Sequence, residues 1–372
     1  MKDRQIQIIS LLLIIILGLA GALLVQDLKR NPSVTGNQNE NAVNTPKETT
    51  LFFAGDIMLS RNVAGRMISS NDYTYPFRNI AEKVKEYNIA FANLESPFSQ
   101  EGPYFVEGTL VFNADPKAVQ GLNLSGFDIL STANNHGFDQ GREGLLYTNA
   151  LLNQNNILPV GTGLDCHDGV IKEVNGIKFG FLGYSYTAYN DGGKSKDPLV
   201  CDWNDREQVA LDIQALKTKT DFVIVSSHMG AEYKRTPEET NANGARAAID
   251  AGADLFIGHH PHWMQTIEEY KGKYIFYSLG NFVFDQMWSQ DTREGLAVEV
   301  LFKDQNLSRI TLMPVVIDNY CCPRWATDQE TKTILSKINP QYISNTLVEN
   351  GFTASDWRAA TAVQLDNTSS VD

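Results

Sequence analysis

Apolar residues along this chain fall into two registers. Short runs of aliphatic, β-branched and aromatic residues at 51–54, 89–92, 127–131, 179–182, 222–226, 255–257, 274–277, 296–302 and 310–317 predict strands, because such side chains fit a pleated, buried surface. Between them, apolar positions recur at three- and four-residue spacing over 77–87, 116–122, 143–153, 205–217 and 238–251, which predicts helices. Thr236-Pro237-Glu238-Glu239 opens the last of these with a cap, a first-turn proline and acidic residues suited to the positive end of a helix. Strands alternating with helices predict an α/β domain around a largely buried sheet.

One apolar run breaks the pattern. No charge interrupts 6–25, and a helix of that length at about 1.5 Å per residue reaches about 30 Å, the hydrocarbon thickness of a bilayer. Lys2 and Arg4 precede the run, and Ala20-Gly21-Ala22 offers a small-residue cleavage site. Leu23, Leu24 and Val25 carry the run past that site, so a retained anchor is the expectation. Lys29 and Arg30 nearly balance the leading positive charges, so charge alone does not orient it. The expected organisation is a transmembrane signal-anchor (1–30), a flexible polar linker (31–50), one α/β domain (51–320) and a helical and polar tail (321–372) with a helix over 328–338. No internal repeat is visible.

Composition sharpens this reading. With 42% hydrophobic residues in 372, the chain can bury a substantial core. A net charge of -13 excludes nucleic-acid binding through a broad basic face, and an anionic partner would need intervening cations. Cys166, Cys201, Cys321 and Cys322 show neither metal-site nor redox-motif spacing. A Cys166–Cys201 bridge stays open, as does the state of the other two cysteines.

The chemistry collects where strands end. The first runs into Gly55-Asp56, the second into Asn93-Leu94-Glu95 and the third into Asn134-Asn135-His136; later ones run into Ser227-His228 and Gly258-His259-His260-Pro261-His262. In open α/β sheets the carboxyl ends of parallel strands converge on one crevice. Five of the six histidines lie at these ends and only His167 lies elsewhere. Carboxylates, an amide and imidazoles together form a ligand set for divalent manganese, iron or zinc, up to two ions. His136 follows an amide candidate and is placed to act as a general acid. Arg61 either clamps an anionic group or serves structure. Asp139 either orients His136 or caps the following helix. Tyr184, Tyr186, Tyr189 and Trp203 are expected to pack at the core edge, with a substrate wall as the alternative.

Five motifs, Phe53-Ala54-Gly55-Asp56-Ile57-Met58-Leu59-Ser60-Arg61, Ala92-Asn93-Leu94-Glu95-Ser96-Pro97, Ala133 to Gly141, Gly258 to His262 and Ser278-Leu279-Gly280-Asn281-Phe282, occur in the order seen in the calcineurin-like metallophosphatase superfamily. The chain most resembles its PGA-cap (CapA) branch, associated with poly-γ-glutamate capsule synthesis. The resemblance implies a four-layer α/β sandwich and a metal centre held by Asp56, Glu95, Asn135, His228, His260 and His262. It also implies a catalytic role for His136 and leaves His259 either behind the ligands or in contact with substrate. Met58 stands where the superfamily has a histidine ligand, and a thioether is a poor ligand for such ions. Glu95 replaces an aspartate, which puts phosphatase activity in question.

Three functions follow as expectations: an anchored, extracytoplasmic capsule or poly-γ-glutamate biosynthesis protein acting beside other membrane proteins of that process; an extracytoplasmic metal-dependent phosphoesterase; or a non-catalytic export or assembly component.

Overall fold

The computed structural model describes residues 47–186 and 199–338. Strand β1 (Glu48–Ile57) is apolar on both faces and is therefore covered on both. Leu51 and Phe53 enter one hydrophobic core while Phe52 and Ala54 enter another, following the two-residue period of an extended chain. β2 (Ile89–Leu94) divides in the same way, Ile89 and Phe91 against Ala90 and Ala92.

β1 lies inside an eight-stranded sheet. β2, β3 (Ile129–Ser131) and β4 (Leu158–Val160) run parallel to it on one side. On the other side follow antiparallel β12 (Glu294–Lys303), β13 (Asn306–Asp318) and β14 (Cys322–Trp325), while β11 (Asn281–Val283) pairs parallel with the end of β1. The second sheet has six strands in the order β5 (Val170–Val174), β6 (Ile177–Ser185), β7 (Phe222–His228), β8 (Leu255–His259), β10 (Lys273–Phe276) and β9 (Ile267–Tyr270). Its four central strands are parallel and each edge carries an antiparallel partner.

Phe53, Phe91 and Val298 of the first sheet share one core with Phe181, Ile257 and Phe276 of the second, so the sheets pack face to face. Helices Arg61–Ser70, Val119–Ser125 and Gly141–Gln154 cover the outer face of the first sheet through Val63, Met67, Leu122 and Leu152. Helices Arg206–Lys217 and Glu239–Ala251 cover that of the second through Val209, Ile213, Ala245 and Ile249. Four layers result.

The expected strands are all present, but both sheets are mixed. Five further strands, β4, β5, β9, β11 and β14, are too short or too polar to stand out as apolar runs. Residues 77–87 form only a 3₁₀ turn (Tyr75–Phe77) and a four-residue helix (Ala81–Val84), although Phe77, Ile80, Ala81, Val84 and Tyr87 are all buried. β1 takes in Glu48 to Thr50, which polarity alone places in the linker. The tail contributes β14 to the sheet before its helix Asp328–Ser336. Cys166 and Cys201 form a disulfide, and so do the adjacent Cys321 and Cys322. The apolar run at 6–25, most of the linker and the tail beyond 338 lie outside the described residues; among the described residues no helix is long and apolar enough to cross a membrane.

Candidate metal centre

Strand pairing sets the first distances. Asp56 at the end of β1 is in register with Asn93 of β2 and Asn281 of β11, and His228 of β7 is in register with His259 of β8. Two glycines let the backbones approach this closely. A Cβ at Gly55 would lie 1.9 Å from the carbonyl oxygen of Gly280, and one at Gly258 would lie 2.0 Å from that of Tyr277. The following turn is strained: His260 and His262 adopt φ of 100° and 57°, a region costly for residues with a Cβ. His260 N–H donates to Asp56 Oδ2 at 3.3 Å, and Tyr233 N–H donates to Pro261 O at 2.9 Å, which hold the turn.

The fold brings together all the sequence-predicted residues except Arg61, which stands at the rim. Asp56, Glu95 and His228 place ligand atoms within 4.8 Å of one another. Glu95 is fully buried, and neither of its oxygens has a hydrogen-bond partner. Its Oε1 lies 3.9 Å from His136 Nε2, 4.0 Å from His228 Nε2 and 3.9 Å from His262 Nε2. Asn135 Oδ1 lies 2.8 Å and His260 Nδ1 3.0 Å from His228 Nε2. Donor atoms about 3–4 Å apart are what an ion with ligands at about 2.1 Å requires. Asp56, Glu95 and His228 therefore offer a donor set for a cation, with Asn135 and His260 beside His228 and His262 beside Asp56 and Glu95.

Three imidazoles have one nitrogen held by a neighbour while the other faces this cluster. His136 Nδ1 lies 2.7 Å from Asp139 Oδ2, His262 Nδ1 2.9 Å from Asn281 Oδ1, and His260 Nε2 3.2 Å from the Tyr186 hydroxyl. Such partners set ring orientation and tautomer. Of the two roles open to Asp139, it takes the orienting one; the helix that it could instead have capped, Gly141–Gln154, has Gln140 at its N-cap with no side-chain bond. His136 also stacks on Phe112, with ring centroids 3.8 Å apart and planes 15° apart.

Electrostatics follow from burial. Burial pushes the Glu95 carboxyl well above its usual value, and the charges of Asp56 and Glu232 add to the effect. Burial also raises Asp56, but the hydrogen bond and charge of His259, with His262 and Asn93, outweigh it and hold that carboxyl low. Burial drives His228 well down, His262 down and His260 down to about 3, each reinforced by neighbouring imidazoles. A site that discharges a carboxyl and several imidazoles is short of a fixed positive charge beside Glu95.

Other candidates sort by position. His259 is fully buried with Nδ1 3.1 Å from Asp56 Oδ1, behind the cluster. Met58 is packed into the core under the first sheet, and its sulfur accepts Ser60 N–H at 3.1 Å. Arg61 pairs with Asp285 at 2.5 Å and lies over the Phe112 ring at 4.7 Å. Tyr184 and Trp203 are core residues, Tyr186 reaches the site, and Tyr189 lies outside the described residues. Sequence reasoning missed Glu232, whose charge acts on Glu95 and His262, and Tyr233, which stacks on His262 at 5.9 Å. Their only sequence signal was proximity to His228.

The family described as bacterial capsule synthesis protein PGA_cap matches residues 50–286. A capsule biosynthesis protein CapA of Bacillus anthracis is 30% identical over 285 residues, covering 73% of this chain and 68% of that protein. A PGA biosynthesis protein CapA of Bacillus subtilis is 31% identical over 306 residues, covering 80% of both. Among solved structures, a 5'-nucleotidase precursor from Thermus thermophilus aligns with a TM-score of 0.43 at 14% identity, covering 87% of this chain and 60% of that one.

Proposed function

Since the chain belongs to the bacterial capsule synthesis PGA_cap family, we propose that it serves poly-γ-glutamate capsule production as a membrane-anchored, extracytoplasmic protein whose strand-end crevice holds a divalent cation of the metallophosphatase type. The supporting observation is Glu95, a buried carboxylate with two unpartnered oxygens amid imidazole nitrogens. Asp56, Glu95 and His228 would hold the ion together with Asn135, His260 and His262. A bound divalent cation supplies Lewis acidity toward a phosphoryl or carbonyl oxygen and bridges the anionic polymer to an acidic protein. His136, fixed by Asp139 and Phe112, presents Nε2 to the same space and can pass a proton to a leaving group. Arg61, charge-paired with Asp285, shapes the rim through its Phe112 contact.

Met58 favours binding or assembly over general phosphoesterase activity, because its position beside Asp56 turns a thioether into the core and adds no nitrogen ligand. The decisive measurement is elemental analysis of the full chain purified without chelators, beside E95A and H260A. The wild type is expected to carry at least about one equivalent of manganese, iron or zinc, lost in both variants. A wild type without metal after manganese is supplied would sink the proposal.

A further inference from the structure

His167, the one histidine away from the crevice, has surroundings of its own. Its Nδ1 lies 2.7 Å from Asp212 Oδ2 and 3.3 Å from Cys201 Sγ, and Cys201 is bonded to Cys166. Asp212 is 5% exposed and is fixed by the Tyr184 hydroxyl, which donates to Oδ2 at 3.0 Å, and by Gln208 Nε2, which donates to Oδ1 at 2.6 Å. Toward His167 that carboxylate is an acceptor, so Nδ1 carries a hydrogen, and the same N–H lies beside the sulfur. The His167 side chain is 47% exposed, so its other nitrogen can exchange protons with solvent.

The two sulfurs differ in access. Cys166 lines a cavity of about 250 Å³, together with Asn149, Gly163, Asp165 and Gly169, whereas Cys201 does not line it. Both cysteines are buried, Cys166 at 4% and Cys201 at 1% exposure, but Cys166 borders the cavity from which a small thiol can approach, and Cys201 sits beside a proton donor. A bridge serving only to tie two segments requires neither feature.

We propose that the Cys166–Cys201 disulfide is a thiol–disulfide exchange site for small thiols, with Cys166 the sulfur attacked and Cys201 the sulfur released beside the His167–Asp212 pair. An incoming thiolate forms a bond to Cys166 Sγ as the Cys166–Cys201 bond breaks, and the electron pair leaves on Cys201. A proton taken from solvent at His167 Nε2 lets Nδ1–H pass to that thiolate, which leaves the imidazole neutral. A second thiol then attacks the mixed disulfide at the small-molecule sulfur and releases Cys166. The two external thiols are oxidised to a disulfide and the protein bridge is reduced to two thiols, a balanced two-electron exchange. Exchange rates rise as the leaving sulfur's charge is better stabilised, which is the role of His167 here. The Cys321–Cys322 bridge, buried to a similar degree, provides an internal comparison.

The test uses the full oxidised chain treated with reduced glutathione, sampled over time by alkylation and peptide mass spectrometry. The Cys166–Cys201 bridge is expected to open at least about tenfold faster than Cys321–Cys322, with glutathione trapped on Cys166. H167F and H167Q are expected to slow opening by about tenfold or more, at an unchanged denaturation midpoint of the oxidised protein. The half-exposed position of His167 tolerates both replacements, and either one that folds suffices. Glutathione trapped on Cys201, equal opening of the two bridges, or an unchanged rate in the His167 variants overturns the proposal.

Discussion

At the residue scale, Glu95 concentrates the conflict between stability and function. Burying a carboxylate with no donor costs free energy that its neighbours do not recover. Glu95→Gln keeps the shape and removes the charge. Chelator-treated E95Q is expected to be more stable than chelator-treated wild type by about 1–3 kcal/mol in urea denaturation, yet to lose the rise in stability on adding manganese that the wild type shows. A destabilised E95Q would mean that Glu95 is a structural group with partners of its own. That Asp56, Glu95, Asn135, His136, His228, His260 and His262 meet was legible from the sequence, because each directly follows or ends an apolar run. Their orientation was legible only at His136, where Asp139 stood three residues away as a candidate partner; Asn281 and Tyr186 hold His262 and His260 from 19 and 74 residues away, at separations without any periodic signature.

At the element scale, the site depends on how closely β1, β11 and β8 pass one another. Any side chain at Gly55 meets the Gly280 carbonyl. G55A is therefore expected to cost about 3 kcal/mol or more and to lower metal content, because β1 must shift and Asp56 moves with it. Chemical denaturation and elemental analysis on the same preparation check this; a variant of native stability would show that β1 and β11 separate at little cost. The long buried strands were legible because a run covered on both faces is almost wholly apolar. β11, only three residues long, left no pattern, yet it places Asn281 beside Asp56 and so positions His262.

At the scale of the whole molecule, the buried imidazoles tie stability to pH. His260 is held down to about 3, against about 6.5 for an unperturbed imidazole. Below about pH 6.5 the unfolded chain takes up a proton that the folded chain refuses until about pH 3, so stability from this group falls as pH falls through that window. Glu95 acts in the opposite sense, since its raised carboxyl keeps a proton that the unfolded chain releases as pH rises. The two are separated by comparing chelator-treated wild type with H260N between about pH 7 and pH 5: the variant is expected to lose less stability on acidification. Equal losses would show that His260 titrates normally. Class, chain order of the long elements and the gathering of the candidate site residues were determined by the sequence itself, since burial demands apolar runs and the crevice demands polar groups at their ends. The face-to-face packing of two mixed sheets, the partners that orient His260 and His262, the withdrawal of Met58 into the core and the pairing of Cys166 with Cys201 beside His167 were decided only in three dimensions. Each depends on contacts between segments far apart in sequence, where closeness is set by packing and leaves no local trace in the chain.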